Sequence, residues 1–386
     1  MRVALVHDYL IRFGGAERVL LNLRKIFPQA DVFTLLYNKE KMGKYFPDVK
    51  IRTSFLQSLP LARKYHRFLA PFIPAAVESL DLREYDLVIS SASAFIKGLV
   101  LRPKTIHICY CHNPTRFLWD YGPAYNGGSS FLRKILCHYL RLWDRAAANR
   151  VDYFLANSKH TAQRIRKYYG REAKIIYPPV QKTAKVAFSD TSLLRQGVVR
   201  KDNPLNEYFL IVSQLTPYKR IDLAIDAFNK LELPLVIIGQ GRDRKRLEKM
   251  AYSNIKFLGW QSDGVIKEYF QNCAAFIFPG EDDFGIAPVE AMSYGRPVLA
   301  YRQGGATETI LEGITGEFFD DPAAESLADG LRRLRLNLKN YSPLVIRKRA
   351  ELFSPERFEK SIKEFVIEKI EQSKKESEGL CDIVKI

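Results

Sequence analysis

The sequence predicts an α/β protein with two doubly wound parallel sheets, and three observations support this fold class. A chain of 386 residues is long enough for two domains, each with its own core. In both halves, short apolar segments alternate with segments of helical periodicity, which is typical of parallel sheets covered by helices. Tyr177-Pro-Pro-Val180 separates the halves, and the polar segment Gln181 to Asn206 follows without clear periodicity. We therefore expect two domains joined by a linker.

The predicted elements follow in chain order, each strand being a short run of aliphatic and aromatic residues. In the first half we expect strands at Val3 to Val6, Val32 to Leu35, Leu87 to Ser90, Ile106 to Tyr110, Tyr153 to Ala156 and Lys174 to Tyr177. Helices are expected there at Ala16 to Phe27, Ser130 to Asn149 and Ser158 to Tyr169, the last with Ser158 as N-cap and Gly170 as C-terminal stop. In the second half we expect strands at Tyr208 to Val212, Leu235 to Ile238, Ile255 to Leu258, Ala275 to Phe278 and Pro297 to Ala300.

Apolar residues at helical spacing predict one further helix, Pro355 to Ser373, with a frayed tail after Lys374. The expected domains are residues 1–180, residues 181–355 and a terminal segment, 356–386, that crosses back to the first domain.

Composition and length exclude several classes of protein. No apolar run approaches the roughly 20 residues that cross a bilayer, and the N-terminus begins as a strand rather than as a signal peptide. The five cysteines, an odd number, do not fit a disulfide framework. We therefore expect a cytoplasmic protein, which could work at the inner face of the membrane.

The net charge of +17 is spread over both halves of the chain. It favours a pyrophosphate ligand and a peripheral contact with an anionic membrane. The chain has neither a zinc-ligand spacing nor an aromatic-basic RNA-binding signature, so we expect no nucleic-acid partner.

An acidic segment of the second half carries the most information about function. It follows the strand predicted at Ala275 to Phe278 and contains Asp282 and, eight positions later, Glu290. Pro288 fits the first turn of the next helix, where unpaired backbone N–H groups suit a phosphate. We expect Glu290 within that first turn, where it could accept hydrogen bonds from sugar hydroxyls, while Asp282 could reach a second ring.

With Phe-Gly, Pro-x-Glu-Ala-Met and Gly-x-Pro-Val in register, this segment resembles the acid-x7-acid signature of the retaining glycosyltransferases of family four. The resemblance implies two Rossmann-like domains that face a central cleft, the B-type architecture of glycosyltransferases. It implies Asp282 at the donor sugar and Glu290 at the nucleotide ribose. Asp282 stands where glutamate is typical, so Glu281 is the alternative contact to the sugar. The donor site is also expected to include Phe284, Gly285 and Ile286.

Two segments at predicted strand ends of the first half also resemble this family. Adjacent glycines let a backbone approach a phosphate closely, and the resemblance implies Gly14 and Gly15 beside the donor diphosphate. His112 resembles the strand-end histidine of mannosyltransferase-like members, which stands next to the reacting sugar. Arg116 is expected either to pair with an anion or to brace Asp120.

Two segments of the second half complete the resemblance. The family uses an arginine and a lysine to neutralise the leaving diphosphate. Lys219 matches the lysine, whereas Gln214 occupies the arginine position and adds no charge, so Arg220 is expected to supply the second cation. Gly304 and Gly305 resemble the family's Gly-Gly turn and are expected to shape the floor of the pocket.

Taken together, the resemblance implies a retaining hexosyltransferase of cell-surface polysaccharide assembly, such as lipopolysaccharide. The donor would be a nucleotide diphosphate sugar, GDP-mannose being favoured, and the acceptor a glycan or a polyprenyl-linked molecule. We expect His112, Lys219 and Asp282 to be catalytic, and neither a metal nor a cofactor to be needed. The alternative is a sugar-nucleotide-binding protein of the same fold with weak or no transfer, suggested by Gln214 and Asp282. A nucleic-acid-binding protein is suggested by charge alone.

Overall fold

A computed structural model of the protein describes residues 1–47, 49–60, 62–120, 131–181 and 208–383. Apart from Gln181, the predicted linker lies outside the described residues, and so does Ser130. The chain divides into two compact units. Unit 1 comprises Met1–Pro179 and Pro355–Ile386, and unit 2 comprises Val180–Ser354.

Among its described residues, unit 1 contains a parallel sheet of seven strands in the order β3-β2-β1-β4-β5-β6-β7. The strands are β1 (Val3–Leu10), β2 (Asp31–Tyr37), β3 (Ile51–Thr53), β4 (Leu87–Ala92), β5 (Ile106–Cys111), β6 (Tyr153–Ala156) and β7 (Ala173–Ile175). The direction of strand order reverses between β1 and β4, where His7 lies opposite Ser91. We call this position the switch point of unit 1.

Unit 2 repeats the plan with six parallel strands in the order β10-β9-β8-β11-β12-β13. The strands are β8 (Phe209–Val212), β9 (Leu235–Ile238), β10 (Ile255–Gly259), β11 (Ala275–Phe278), β12 (Val298–Tyr301) and β13 (Gly316–Phe319). The switch point of unit 2 lies between β8 and β11. The predicted fold class, two α/β domains with parallel sheets, is therefore confirmed.

In both units, the described residues include helices that connect the strands. Those of unit 1 are α1 (Gly15–Ile26), α2 (Lys39–Met42), α3 (Ala62–Tyr65), α4 (Ile73–Glu78), α5 (Arg116–Trp119), α6 (Phe131–Ala148) and α7 (Lys159–Tyr169). Those of unit 2 are α8 (Ile221–Leu231), α9 (Arg244–Met250), α10 (Asp263–Asn272), α11 (Ile286–Ser293), α12 (Ala306–Thr309), α13 (Ala324–Asn337) and α14 (Pro343–Ala350). The last helix, α15 (Pro355–Ile383), belongs to unit 1.

Local signals located α7 correctly. Ser158 caps it, since its hydroxyl accepts a hydrogen bond from the Thr161 N–H at 2.9 Å, and Gly170 ends it in the left-handed conformation at φ 67°. Other bounds were wrong. β1 continues to Leu10 and so includes His7, which lies beyond the predicted strand, Val3 to Val6. α15 continues to Ile383, although a frayed tail was expected after Lys374.

The sheet of unit 1 is buried on both faces. Ala4 and Val6 contribute to one apolar cluster and Leu5 to the other, as alternation along a strand requires. α15 completes the second cluster with four buried side chains: Phe358, Ile362, Phe365 and Val366. In the part of the chain that the structure describes, no helix is both long and apolar enough to span a membrane.

A buried ion pair fixes α6 to the rest of unit 1. Asp144, on the inner side of α6, accepts a hydrogen bond from Lys97 Nζ, and the two side chains are at most 1% exposed. Asp144 also accepts hydrogen bonds at 2.8 Å from Thr115 Oγ1, Trp119 Nε1 and Tyr169 OH. The buried carboxylate is thus well satisfied, which is the condition under which such a pair is tolerated in a core.

Candidate functional site

The predicted donor residues of unit 2 lie near its switch point. β8 and β11 are neighbours, and the loop that leaves each strand begins at the carboxyl edge of the sheet. Sheets of this type bind ligands at the carboxyl ends of their strands, where the strand order reverses. The loop after β8 contains Gln214 and Lys219, and the loop after β11, Pro279–Gly285, is called the acid loop here.

The two loops meet through Lys219 and Asp282. The Lys219 ammonium donates to Asp282 Oδ2 at 2.6 Å, and their side chains are 13% and 26% exposed. The same ammonium lies 5.2 Å from the ring centroid of Tyr218 and 5.8 Å from that of Phe278. The backbones are also close, because a Cβ added to Gly280 would lie 2.7 Å from the Lys219 carbonyl carbon. A cation and a carboxylate therefore lie side by side, and both are partly buried.

Gly304 and Gly305 pack directly against the backbone of the acid loop. The Gly305 N–H donates to the Asp282 carbonyl at 2.9 Å. A Cβ added to Gly304 would lie 2.2 Å from that carbonyl oxygen, and one added to Gly305 would lie 2.3 Å from the Phe284 Cα. These distances are too short for any side chain, so the loop keeps its position only with glycine at both sites.

The acid loop ends where α11 begins. Gly285 adopts the left-handed conformation at φ 80°, and Ile286 is the first helical residue. Pro288 lies in the first turn, as predicted. Glu290 does not: it is the fifth residue of α11, in the second turn, because the helix starts two residues earlier than Pro288. The amide groups at the start of α11 are those of Gly285, Ile286 and Ala287, which suit an anion.

The other predicted residues of unit 2 differ in their exposure to solvent and in their contacts. Gln214 is exposed, and its carbonyl accepts a hydrogen bond from the Thr216 N–H at 3.0 Å. Arg220 has a left-handed backbone, φ 50°, and its guanidinium lies 3.4 Å from Asp222. The charges of half-buried Glu281 and of Arg220 both affect the pKa of the Tyr301 hydroxyl. Burial raises the pKa of Tyr301, the Glu281 charge raises it further, and Arg220 opposes this.

The predicted residues of unit 1 lie near its own switch point. His112 directly follows β5, and its Nε2 lies 2.8 Å from Ser91 Oγ at the end of β4. His7, on β1, contacts the same hydroxyl, with Nδ1 at 3.1 Å. Ser91 and the role of His7 were not predicted, although each directly follows a predicted strand, Leu87 to Ser90 for Ser91 and Val3 to Val6 for His7.

Burial governs the chemistry of His112, whose exposed fraction is 8%. Burial lowers its pKa to about 3, and the neighbouring His7 adds to this effect. The ring is therefore neutral at physiological pH and acts through hydrogen bonds rather than through positive charge. Its backbone is fixed as well, because the His112 N–H donates to the Ala92 carbonyl at 2.8 Å and Asn157 Nδ2 donates to the His112 carbonyl at 2.9 Å.

Two other expectations concern the loops of unit 1. Gly14 precedes α1 with an ordinary extended backbone, and a Cβ added there would lie 3.1 Å from a carboxylate oxygen of Glu17; Gly15 is the first residue of the helix. Asp120 is braced by Arg164 and by the Tyr168 hydroxyl.

Among the residues described in either unit, no group of three or more His, Cys, Asp or Glu side chains is arranged to hold a metal ion.

Known protein families and relatives match both halves of the chain. The profile "Glycosyltransferase Family 4" matches residues 13–183, and "Glycosyl transferases group 1" matches residues 198–349. The α-1,3/1,6-mannosyltransferase ALG2 of Debaryomyces hansenii is 24% identical over 378 residues, covering 80% of this chain and 76% of the relative. The O-antigen chain mannosyltransferase C of Escherichia coli is 25% identical over 213 residues, covering 52% and 56%.

Solved structures share the fold. HepE of Anabaena, in complex with UDP-glucose, aligns with a TM-score of 0.70 at 22% identity, covering 95% of this chain and all of that one. WaaG, a glycosyltransferase of lipopolysaccharide biosynthesis, aligns with a TM-score of 0.62 at 18% identity, covering 90% and 93%. Two matching profiles that together span most of the chain, and relatives along most of its length, lead to one conclusion: the chain belongs to the glycosyltransferases, with a Glycosyltransferase Family 4 region followed by a Glycosyl transferases group 1 region.

Proposed function

We propose that this glycosyltransferase transfers a hexose, mannose in the first instance, from a nucleotide diphosphate sugar to a glycan or lipid-linked acceptor, with retention of anomeric configuration. The observation that carries the proposal is the contact of Lys219 with Asp282 at the switch point of unit 2. A donor sugar nucleotide has both a diphosphate, which needs a cation, and ring hydroxyls, which need acceptors. The contact supplies one of each within 2.6 Å.

In the proposed reaction, Lys219 stabilises the charge that develops as the diphosphate leaves. Arg220 and the amides at the start of α11 contribute to the same stabilisation, since fixed donors aimed at developing charge are the strongest catalytic device of this kind. Asp282 or Glu281 accepts from hydroxyls of the transferred sugar, and Glu290 accepts from the ribose. The acceptor hydroxyl attacks from the face that the diphosphate leaves, and the leaving phosphate takes its proton.

Unit 1 contributes His112 to this proposal. A neutral, buried imidazole suits contact with a sugar hydroxyl, because it can donate or accept a hydrogen bond without introducing charge. Gly14 and Gly15 are proposed to lie beside the donor diphosphate. We assign acceptor binding mainly to unit 1 and donor binding mainly to unit 2.

Mannose is favoured by the names of the relatives, and GDP-mannose is the donor that we propose with it. ALG2 of several fungi and the O-antigen enzyme of Escherichia coli are mannosyltransferases by name. HepE, in contrast, was solved with UDP-glucose. A direct test incubates the protein with radiolabelled GDP-mannose, UDP-glucose and ADP-glucose in the presence of lipid extract. Transfer from GDP-mannose in preference to the others, with an α-linked product by NMR, would support the proposal.

Glu290→Gln tests the donor site in the same assay. Because a hydrogen bond to a charged group contributes about 1.5–3 kcal/mol, nucleotide affinity should fall roughly 10- to 100-fold. Glu325→Gln, an exposed acid on α13 of the same unit, is the matched control and should bind like the wild type. Equal affinity of Glu290→Gln and the wild type would remove the ribose role.

The rival within the same fold is a sugar-nucleotide-binding protein without transfer. It is favoured by the exposed Gln214 in place of a family arginine, and by the partial neutralisation of Lys219 by Asp282. Tight donor binding by calorimetry, with no product from any acceptor extract, would establish this rival instead.

We also propose a peripheral contact of unit 1 with an anionic membrane, supported by the outer side of α6. Five large apolar side chains there are half or more exposed: Phe131 75%, Leu132 75%, Ile135 51%, Tyr139 50% and Leu142 60%. Cationic side chains accompany them: Arg133, Lys134, Arg141 and Arg145. The only acid in residues 131–148, Asp144, is buried on the inner side. An apolar stripe flanked by cations without exposed acids is typical of a helix that lies in a membrane interface.

Vesicle sedimentation tests this contact. The protein should sediment with phosphatidylglycerol vesicles and not with phosphatidylcholine vesicles, and salt should weaken the binding. Ile135→Glu should lower the partition coefficient at least about tenfold, since it loses apolar burial and adds repulsion. Leu336→Glu, at an 83% exposed leucine of unit 2, is the matched control. Equal binding of both variants would contradict the assignment to α6.

A further inference from the structure

Four side chains form a continuous hydrogen-bonded chain at the switch point of unit 1. Glu17 Oε1 lies 3.4 Å from His7 Nε2, and His7 Nδ1 lies 3.1 Å from Ser91 Oγ. Ser91 Oγ in turn lies 2.8 Å from His112 Nε2. We call these residues the Glu17–His112 chain. They come from α1, β1, β4 and the residue after β5, so the tertiary fold, rather than local sequence, assembles them.

The Glu17–His112 chain is largely buried, so water does not compete for its hydrogen bonds. His7 is 2% exposed, Ser91 0% and His112 8%, while the Glu17 side chain, at one end, is 13% exposed. Buried polar networks of this kind are costly unless every member has a partner, so protons occupy defined positions.

The carboxylate end sets the direction of the hydrogen bonds when His7 carries a single ring proton. An ionised Glu17 only accepts, so His7 Nε2 must donate to it. The other nitrogen of a neutral His7 then accepts from the Ser91 hydroxyl, and the Ser91 oxygen accepts from His112 Nε2–H. His112 Nδ1 is left without a proton. In the described part of the chain, this nitrogen has no hydrogen-bond partner.

If the hydrogen bonds ran in the opposite direction, His112 Nδ1 would be a donor instead of an acceptor. If His7 held a proton on Nδ1, it would donate to Ser91, Ser91 would donate to His112 Nε2, and His112 Nδ1 would be a donor. Because burial keeps His112 neutral, its ring must adopt one of these two tautomers.

We propose that Glu17, His7 and Ser91 are positioning residues that hold His112 in one tautomer, with Nε2 protonated and Nδ1 an acceptor for a substrate hydroxyl. The inference deepens the proposed function, on which the substrate contact of His112 rests. The tautomer itself does not depend on that function and is measured without substrate.

The protein contains a matched control, a second Ser–His pair whose members lie on β4 and β5. Ser90 Oγ lies 2.9 Å from His107 Nε2, and both residues are buried between β4 and β5. No carboxylate continues that pair, and His107 Nδ1 has no partner among the described residues. A change at Ser90 therefore perturbs the core without touching the Glu17–His112 chain.

The experiment labels the histidines of the full-length protein with ¹⁵N and reads each tautomer from two-bond ¹H–¹⁵N spectra, with six histidines in total. We expect His112 as a single Nε2–H tautomer in the wild type. Glu17→Gln and Ser91→Ala should each convert it to a mixture, while Ser90→Ala should leave it unchanged. An Nδ1–H ring or a mixture in the wild type, or an unchanged His112 in Glu17→Gln, would overturn the proposal.

Kinetics provide the second readout. Glu17→Gln should lower kcat roughly 10- to 100-fold with little change in donor KM, as removal of a group that orients a functional histidine does. Unchanged kcat in an active enzyme whose tautomer has shifted would overturn the substrate contact. If the tautomers behave as expected but the wild type transfers no sugar, the proposed function fails and the positioning role stands. Should Ser91→Ala not fold, Glu17→Gln carries both readouts, because Glu17 lies at the solvent-facing end.

Discussion

Replacing Lys219 with alanine tests the donor site, because the structure separates its catalytic effect from its effect on stability. The ammonium is 13% exposed and contacts Asp282 at 2.6 Å. Removing it deletes a cation of the β8 loop that contacts the acid loop directly. The remaining carboxylate keeps partial contact with solvent, since Asp282 is 26% exposed.

The expected effect on the rate is large. A unit charge about 4 Å from a developing phosphate charge contributes about 4 kcal/mol at an effective dielectric constant near 20. Asp282 offsets part of this, so we expect kcat to fall about 10²- to 10³-fold, as for removal of a single preorganised donor. The expected effect on stability is small. A partly exposed ion pair contributes about 1 kcal/mol, which lowers Tm by about 2–4 °C for a unit of this size.

The assay compares kcat for donor turnover with Tm from calorimetry in the same preparations. Lys230→Ala is the matched control, because Lys230 Nζ also lies 2.6 Å from a carboxylate, Glu325, in unit 2 but on exposed helices. It should turn over at the wild-type rate. A Lys219→Ala enzyme within about threefold of the wild-type rate, or an equal loss in Lys230→Ala, would refute the charge argument.

Three further predictions follow from the packing. Gly305→Ala adds a methyl group 2.3 Å from the Phe284 Cα, so the acid loop must move; we expect a loss of about 1–3 kcal/mol in the free energy of unfolding and weaker donor binding, by thermal denaturation with and without GDP-mannose. Lys97→Met leaves Asp144 buried without its cation and should cost about 3–5 kcal/mol, read from urea denaturation. Burial lowers the pKa of His107 to about 4, so below about pH 6.5 the unfolded chain binds a proton that the folded chain does not. As the pH falls from 6.5 to 4, His107 alone should lower the free energy of unfolding by up to about 1.4 kcal/mol per pH unit, and buried His112 adds a contribution of its own. His107→Gln should therefore make the measured slope shallower than that of the wild type.

Each of these has its own control. Gly264→Ala, where an added Cβ meets nothing within 4 Å, should keep wild-type stability. Wild-type stability of Gly305→Ala would show that the acid loop yields freely. An Asp144→Asn change added to Lys97→Met removes the charge and keeps an acceptor oxygen for the neighbouring donors, so it should recover part of the loss, and no recovery would contradict the unpaired-charge argument. Equal pH slopes for the wild type and His107→Gln would contradict the assigned pKa.

The sequence was sufficient for features with a local cause. Aliphatic runs marked the central strands because parallel strands buried on both faces are continuously apolar. Ser158 and Gly170 marked the ends of α7 because a cap and a left-handed stop need particular residues. The short edge strands β3 and β13 escaped prediction, since three or four residues with charges among them carry no periodic signal.

Features with a non-local cause could not be predicted. The ion pair of Lys97 with Asp144 joins positions 47 residues apart, and the hydrogen bond of His7 to Ser91 joins positions 84 residues apart. Both depend on strand order, which the spacing of residues does not determine. The position of Glu290 was missed for a smaller reason: the left-handed Gly285 starts α11 before Pro288, and proline at the third helical position looks the same in sequence as proline at the first.

The attachment of α15 to unit 1 affects how the protein is made. Unit 2 is one continuous stretch, whereas unit 1 needs residues from both ends of the chain. On the ribosome, the nascent first half must wait for the last helix to emerge before Phe358, Ile362, Phe365 and Val366 can cover its exposed apolar surface. Synthesis of the second half therefore sets the time for which that surface is open to aggregation and to chaperones.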